Sequence, residues 1–371
     1  MKIGYDAKRM FHNNTGLGNY SRDLVRIMAT YYPDNQYFLY NPKPAKINRL
    51  TLTPQMTVRQ PDEWLYKKFP ALWRSKFITG DLKKDNLDIY HGLSGELPFG
   101  IQNTGIKSVV TIHDLIFLRY PELYKPIDRK FYTLKFKYAA KHTDQIVAIS
   151  EQTKQDIIHF FKINPEKIKV IYQGCHQAFK ETYSDEFKAA IRQKFNLPYN
   201  FILNVGTIEP RKNAFSIVKA IKDTDYKLVI VGRENPYAQE IKTYIAKHNM
   251  QNRVYFLKNL SLEELAGLYQ MADMFIYPSI FEGFGIPLIE ALYSRIPLIT
   301  NSKGVFPEAA GPAAFYLENV KNPEEIKHKI DEIYQTDTNE RITRGYEFVQ
   351  KFNDDTIAAQ WQNLYQNIIG K

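Results

Sequence analysis

A chain of 371 residues with 44% hydrophobic and 24% charged content is long enough for two domains with real cores, and its composition excludes a disordered or collagen-like protein. One cysteine, Cys175, rules out an intrachain disulfide framework and fits a reducing compartment, while no apolar run approaches the 18 residues of a spanning helix and the start Met-Lys-Ile-Gly-Tyr-Asp reads as a strand, so a cytoplasmic location is expected. The net charge of +10 is uneven, +12 over residues 1–180 and −2 over 181–371; this directs attention to an anionic partner of the first half, and the lack of a helix-turn-helix, zinc-ligand or RNA-binding signature speaks against nucleic acid.

In chain order, Lys2 to Tyr5 reads as an opening strand, followed by an amphipathic helix running to about Thr30. Between them Thr15-Gly16-Leu17-Gly18 is a Gly-rich turn, where backbone N–H groups and a helix N-terminus can meet phosphate or a sugar hydroxyl. Residues 41–86 have poor periodicity, broken by Pro42, Pro44, Pro54, Pro61 and Pro70. Two stretches, Trp64 to Arg74 and Arg119 to Tyr138, mix bulky aromatics with Lys and Arg. That mixture suits the headgroup region of a bilayer, where rings bury and cations meet anionic lipid; the competing reading makes the rings core and the cations solvated. Three strand-like runs follow, each ending in a polar residue: Leu87 to Tyr90 before His91, Lys107 to Ile112 before His113, and Gln145 to Ile149 before Ser150. Doubly wound folds place ligand contacts at such strand ends. Ser150-Glu-Gln-Thr is explained as a helix N-cap.

Ile168 to His176 reads as the last strand and exit of a first domain over residues 1–175, with a linker region and a helix over 176–198 and a second domain over 199–353. A fresh apolar strand, Phe201 to Gly206, leads into Gly206-Thr-Ile-Glu-Pro-Arg211-Lys212-Asn213, which sets two cations at the mouth of a helix. Such a pair can stabilise charge developing on a leaving diphosphate, Arg by bidentate grip and Lys as a point charge. Strands and helices then alternate. Gly232 and Arg233 end the strand from Lys227 and are expected near a base or ribose. Glu308, in Pro-Glu-Ala-Ala-Gly, is given a structural role, and the tail 354–371 is expected to pack as a helix on the first domain through Trp361, Leu364 and Tyr365.

The stretch from Asp273 to Leu292 organises the rest. Met274 to Tyr277 reads as a buried strand ended by Pro278 and Ser279; Gly283 and Gly285 allow a tight turn, and Pro287 opens a helix. Glu282 and Glu290 are left as two carboxylates, which a continuous helix would set roughly 12 Å apart, about the spacing of the two sugars of a nucleotide-sugar. The run Glu282-Gly-Phe-Gly-Ile-Pro-Leu-Ile-Glu290 resembles the paired-glutamate signature of the retaining, nucleotide-sugar-dependent glycosyltransferases of family 4 (group 1 type), and the order of the other motifs extends the resemblance over nearly the whole chain.

That resemblance implies an α/β GT-B fold, two Rossmann-like doubly wound domains facing an interdomain cleft. It implies that Arg211 and Lys212 neutralise the diphosphate, Glu290 holds ribose hydroxyls, Glu282 positions the transferred sugar, and His113 bonds a hydroxyl of that sugar. Gly16, Gly18, Gly206, Gly283, Phe284 and Gly285 would line the nucleotide-sugar, with Gly232 and Arg233 near its base. The activity expected is hexose transfer with retention from GDP-mannose or a UDP-sugar to a glycan or lipid-linked acceptor in cell-surface polysaccharide synthesis. No residue stands out as a covalent nucleophile, so departure and attack on the same face are expected, the leaving phosphate taking the acceptor proton. No Asp-x-Asp motif stands where a diphosphate would need one, and the two cations make a divalent ion unnecessary, so no cofactor or metal is expected. A GT-B 2-epimerase or phosphorylase, and a non-catalytic membrane or nucleic-acid binder, are the alternatives.

Overall fold

A computed structural model describes residues 1–370, which divide into two units: Met1–Gln173 together with the C-terminal segment from Asn353, and Gly174–Phe352. In the first, strands β1 (Lys2–Asp6), β2 (Gln36–Tyr40), β3 (Met56–Arg59), β4 (Ile89–Gly92), β5 (Lys107–Ile112), β6 (Gln145–Ala148) and β7 (Ile168–Val170) form an all-parallel sheet in the order β3-β2-β1-β4-β5-β6-β7. The second has β8 (Ile202–Val205), β9 (Leu228–Val231), β10 (Val254–Leu257), β11 (Met274–Tyr277), β12 (Leu298–Asn301) and β13 (Phe315–Leu317) in the parallel order β10-β9-β8-β11-β12-β13. Parallel sheets are covered on both faces, which is why these strands read as continuous apolar runs; every residue of β9 and β11 is buried. Both sheets reverse their winding once, between β1 and β4 and between β8 and β11.

The C-terminal helix Asp354–Ile369 belongs to the first unit, where Ile357, Ala358, Trp361, Leu364 and Tyr365 share a core with β1, β2 and the helix Gly16–Tyr31. Its stripe follows helical periodicity, and Asp354 and Asp355 stand in the first turn, where the helix dipole favours acid. Tyr365 meets His91 Nδ1 at 2.8 Å, and His91 Nε2 meets Thr111 Oγ1 at 2.8 Å. His91 is fully buried, and burial pushes its pKa down to about 3, so it is a neutral core histidine and not the strand-end ligand contact that its position suggested.

The proline-rich interval is more structured than its periodicity indicated: beyond β3 it holds helical turns at Trp64–Lys68, Pro70–Leu72, Trp73–Phe77 and Ile78–Lys84. Trp73 is buried with Nε1 donating to Asp81 at 2.7 Å, whereas Trp64 is 71% exposed, so the aromatic-cationic stretch divides between core and surface. Residues 176–198, read as a linker region, lie within the second unit, and the helix Asp185–Phe195 packs on Leu262–Met271 there, Ile191 close against Gly267. Among the described residues no helix is long and apolar enough to cross a membrane.

Candidate active site

In a doubly wound sheet, ligands gather at the carboxyl ends of the strands that flank the winding reversal. In the second unit those strands are β8 and β11, and the segments leaving them carry Arg211, Lys212 and Glu282. After β8, Gly206 takes φ 152°, a conformation that side-chain-bearing residues rarely adopt, and the chain turns through Pro210–Lys212 into the helix Ala214–Ala220. Asn213, at φ 58°, pins this turn to its neighbours: its amide donates to the Pro278 carbonyl at 3.2 Å and the Val320 carbonyl at 2.6 Å. After β11, Gly285 at φ 108° opens the helix Ile286–Tyr293 with Pro287 in its first turn. The helix therefore starts beyond Glu282, and the continuous-helix spacing of roughly 12 Å between the glutamates does not apply.

Glu282 is the hub. Its Oε1 accepts from Lys212 Nζ at 2.6 Å, Ser279 Oγ at 2.6 Å and Tyr277 OH at 3.1 Å, and pairs with Arg211 Nη1 at 2.9 Å. Every one of these contacts falls on Oε1; Oε2 has no bond among the described residues and remains an open acceptor. Burial pushes the carboxyl up, but Lys212 and Arg211 outweigh it and hold the pKa at about 2, so Glu282 is ionised throughout the physiological range. Arg211 also donates to Glu209 at 2.6 Å and to the Phe281 carbonyl at 2.6 Å. The two cations thus stand opposite two carboxylates, Glu282 and Glu209, where the sequence showed only an unopposed Arg-Lys pair. Lys212 Nζ, bonded to Glu282 and to Tyr277 OH, retains one of its three hydrogens, and Arg211 retains part of its fork.

Glu290 lies one helical turn into Ile286–Tyr293 and accepts from Tyr269 OH at 2.9 Å. Burial raises its carboxyl to about 7, the Tyr269 bond opposing that in part. The charges of both Glu282 and Glu290 add to burial in raising the Tyr277 pKa. A carboxyl that ionises near 7 accepts two hydroxyl hydrogens from a diol only above that pH. If Glu290 holds a ribose in this way, nucleotide affinity should fall several-fold from pH 8 to pH 6 and become nearly flat in Glu290→Gln; calorimetry across that range reads it, and an unchanged slope in the variant removes the role.

The remaining predicted residues divide. Gly232 is required by packing, since a Cβ there would lie 1.8 Å from the Gly206 carbonyl oxygen, and Arg233 is exposed with no bond to the cluster. The Phe284 ring is 2% exposed and packs edge-on against Phe352, so its side chain is core and only its backbone could reach a ligand. Gly283 lies in the turn between Glu282 and the helix. In the first unit the expected Gly-rich turn is displaced: a short helix Lys8–His12 intervenes, and Gly16 and Gly18 form the first turn of Gly16–Tyr31. A Cβ on Gly18 would meet the Asn13 carbonyl oxygen at 1.8 Å, whereas Gly16 faces open space. His113 donates from Nε2 to the Leu93 carbonyl at 2.9 Å and meets Tyr20 edge-on. Burial lowers it to about 4, so it is neutral near pH 7 with Nδ1 left as an acceptor.

Sequence reasoning missed Tyr277, Ser279, Tyr269 and Glu209. Tyr277 and Ser279 stand at the end of β11, where they read as strand and terminator; a hydroxyl on each side of Pro278 just before a glutamate was the available signal. Tyr269 is distant in sequence from its partner and gave none.

Residues 31–178 match the family model described as Glycosyltransferase Family 4, and residues 186–346 match that of Glycosyl transferases group 1. The chain is 24% identical to O-antigen chain mannosyltransferase B of Escherichia coli over 99% of this chain and 100% of that protein. It is 29% identical to O-antigen chain mannosyltransferase RfbU of Salmonella typhimurium over 71% of this chain and 68% of that one. Sucrose-phosphate synthase of Thermosynechococcus elongatus superposes with a TM-score of 0.79 at 19% identity, covering 100% of this chain and 99% of that one. Two doubly wound parallel sheets, the Arg-Lys turn bonded to the first glutamate of the pair, and family matches across both units agree: the chain belongs to the group 1 glycosyltransferases of GT-B fold.

Proposed function

We propose that this enzyme moves a hexose, mannose from GDP-mannose before a UDP-sugar, to a glycan or lipid-linked saccharide in the synthesis of a cell-surface polysaccharide, with retention of configuration and without a metal. The observation that carries the reading is the bonded cluster of Arg211, Lys212 and Glu282 at the winding reversal of the second unit, with Glu290 on the helix that follows. Arg211 and Lys212 oppose the charge that builds on the departing diphosphate. The open Oε2 of Glu282 accepts from a hydroxyl of the transferred sugar, Glu290 takes the ribose diol, and His113 offers Nδ1 to a sugar hydroxyl. A carboxylate bonded four times through one oxygen and held at about 2 is a poor nucleophile, which favours departure and attack on one face. The mannosyltransferase relatives favour mannose and a polysaccharide product.

A thermal-shift panel of nucleotide-sugars in EDTA tests the donor side. A true donor at 100 times its Kd adds about 2.7 kcal/mol of stability, and transfer in the same buffer should persist. No shift from any nucleotide-sugar would falsify the reading, and complete loss of transfer in EDTA would remove its metal-free part. Donor turnover without acceptor, giving an epimer or a sugar phosphate, would favour the epimerase or phosphorylase instead.

The first unit is proposed to work at an anionic membrane surface. Ile127 (80%), Phe131 and Leu134 are exposed on the helix Pro126–His142, whose buried residues are Ala139 and Ala140 alone, and Arg129, Lys130 and Lys137 lie among them. Sedimentation with anionic vesicles at low salt should carry the protein down and neutral vesicles should not; equal recovery from both ends the proposal.

A further inference from the structure

The first unit has its own winding reversal, between β1 and β4, and at the carboxyl end of those strands lies a cavity of about 230 Å³ that the reading above does not use. Asp6, the last residue of β1, and Glu96, just beyond β4, form one wall. Both carboxylates are already engaged. Arg74 donates to Asp6 from Nε at 3.0 Å and from Nη2, and to Glu96 from Nη1 at 2.7 Å; Lys135 adds a bond to Glu96 at 3.2 Å. Two cations therefore balance two anions inside the network. Lys8 and Lys43 also line the cavity, and neither ammonium has a hydrogen bond or ion pair among the described residues. Lys8 is half-buried, and burial, then the nearby Arg74, lowers its pKa. Lys43 is exposed, so the cavity presents two cationic donors, one half-buried and one at its open side, that an anion can meet.

The walls indicate what carries that anion. One is the helical run that supplies Pro70, Ala71 and Arg74; the other is the helix Pro126–His142, which supplies Lys135 and Tyr138. The same two elements and their flanks bear the exposed apolar side chains of this unit: Trp64, Phe69 and Leu72 beside one wall, Phe131 and Leu134 on the other. Phe99, half-exposed, spans the cavity edge, its ring 4.6 Å from Tyr138 and its N–H donating to the Ser75 carbonyl at 2.7 Å. A charged cavity thus opens between two apolar rims. Its volume is below the roughly 300 Å³ at which pockets begin to enclose a whole drug-sized ligand, so it takes a head group and leaves a tail outside.

We propose that this cavity binds the phosphate-bearing head of an amphiphilic acceptor, a lipid phosphate or diphosphate, with Lys8 and Lys43 meeting the phosphate and the apolar rims meeting the lipid chain. The proposal rests on the transferase reading for the word acceptor only; the binding itself is independent of it. The probes are farnesyl phosphate below its micelle concentration, farnesol and inorganic phosphate, titrated calorimetrically against the full chain. Farnesyl phosphate should bind at least tenfold more tightly than either of the others. Lys8→Ala with Lys43→Ala should weaken it tenfold or more, and Phe99→Ala should weaken it several-fold while leaving inorganic phosphate unchanged. A nucleoside diphosphate titration on the same variants, reporting the second unit, and an unchanged circular dichroism spectrum show that they are folded. Equal binding of farnesyl phosphate to wild type and the double lysine variant overturns the proposal. So does inorganic phosphate binding as tightly as the lipid, which would make this a plain anion site, or farnesol doing so, which would make it an apolar one. If the lipid phosphate binds as expected and no nucleotide-sugar does, the cavity stands and the transferase reading falls.

Discussion

Lys212→Ala is expected to lower kcat for transfer by about 10²–10³-fold, the cost of removing one fixed donor from a site where charge develops. The ammonium lies between Glu282 at 2.6 Å and Tyr277 OH at 2.5 Å, and its side chain is 16% exposed, so water replaces it poorly. Glu282 keeps Arg211, Ser279 and Tyr277 when Lys212 is removed, and the turn therefore stays tied. Lys212 is nonetheless the leading opponent of burial at Glu282, so the Glu282 pKa must rise from about 2 in the variant. Residual activity should accordingly fall away at a higher pH than in wild type. Steady-state kinetics from pH 5 to 8 read both effects. A variant within threefold of wild type would remove Lys212 from the chemistry.

The outline of both units was legible in the sequence because parallel strands covered on both faces leave continuous apolar runs, and Met274–Tyr277 is one with all four residues buried. The Arg211, Lys212 and Glu282 cluster was legible as a set of residue types in order, but its bonding was not. That Glu282 spends one oxygen on four partners depends on Tyr277 and Ser279 at the end of β11, to which Asn213 ties the Arg-Lys turn by reaching 65 residues ahead to Pro278, with a second bond 107 ahead to Val320. No local pattern encodes such reach. His91 and His113 show the same limit: both follow apolar runs and both become neutral through burial, but only the packing of Tyr365 marks His91 as core. The short helix Lys8–His12 escaped because its few apolar positions, Met10 and Phe11, are too short a stripe to reveal a period. The glycines divide on similar grounds, since Gly232 and Gly18 answer to backbone oxygens 1.8 Å from a hypothetical Cβ, a constraint that only the folded chain creates.

Glu282→Ala should separate two quantities that normally move together. Transfer should fall by about 10³-fold, because the sugar loses its acceptor at Oε2 and the cations lose the carboxylate that fixes them. The product nucleoside diphosphate should bind more tightly than to wild type, by about three- to tenfold, because Arg211 and Lys212 no longer share their hydrogens with Glu282 and meet the diphosphate with only Glu209 opposing them. The variant should also be less stable. Two positive groups without their common partner resemble a broken buried ion pair, for which a loss of about 3–5 kcal/mol is usual; Glu209 remains on Arg211 at 2.6 Å and keeps the loss toward the lower end. Added nucleoside diphosphate should restore most of it, as a ligand supplying the missing negative charge. Glu282→Gln keeps an oxygen for Lys212 but not the charge, and belongs between wild type and Glu282→Ala in both respects. Nucleotide titration calorimetry beside thermal unfolding with and without nucleotide decides the matter: slower transfer with weaker nucleotide binding would mean that Glu282 organises the phosphate site and does not compete for it.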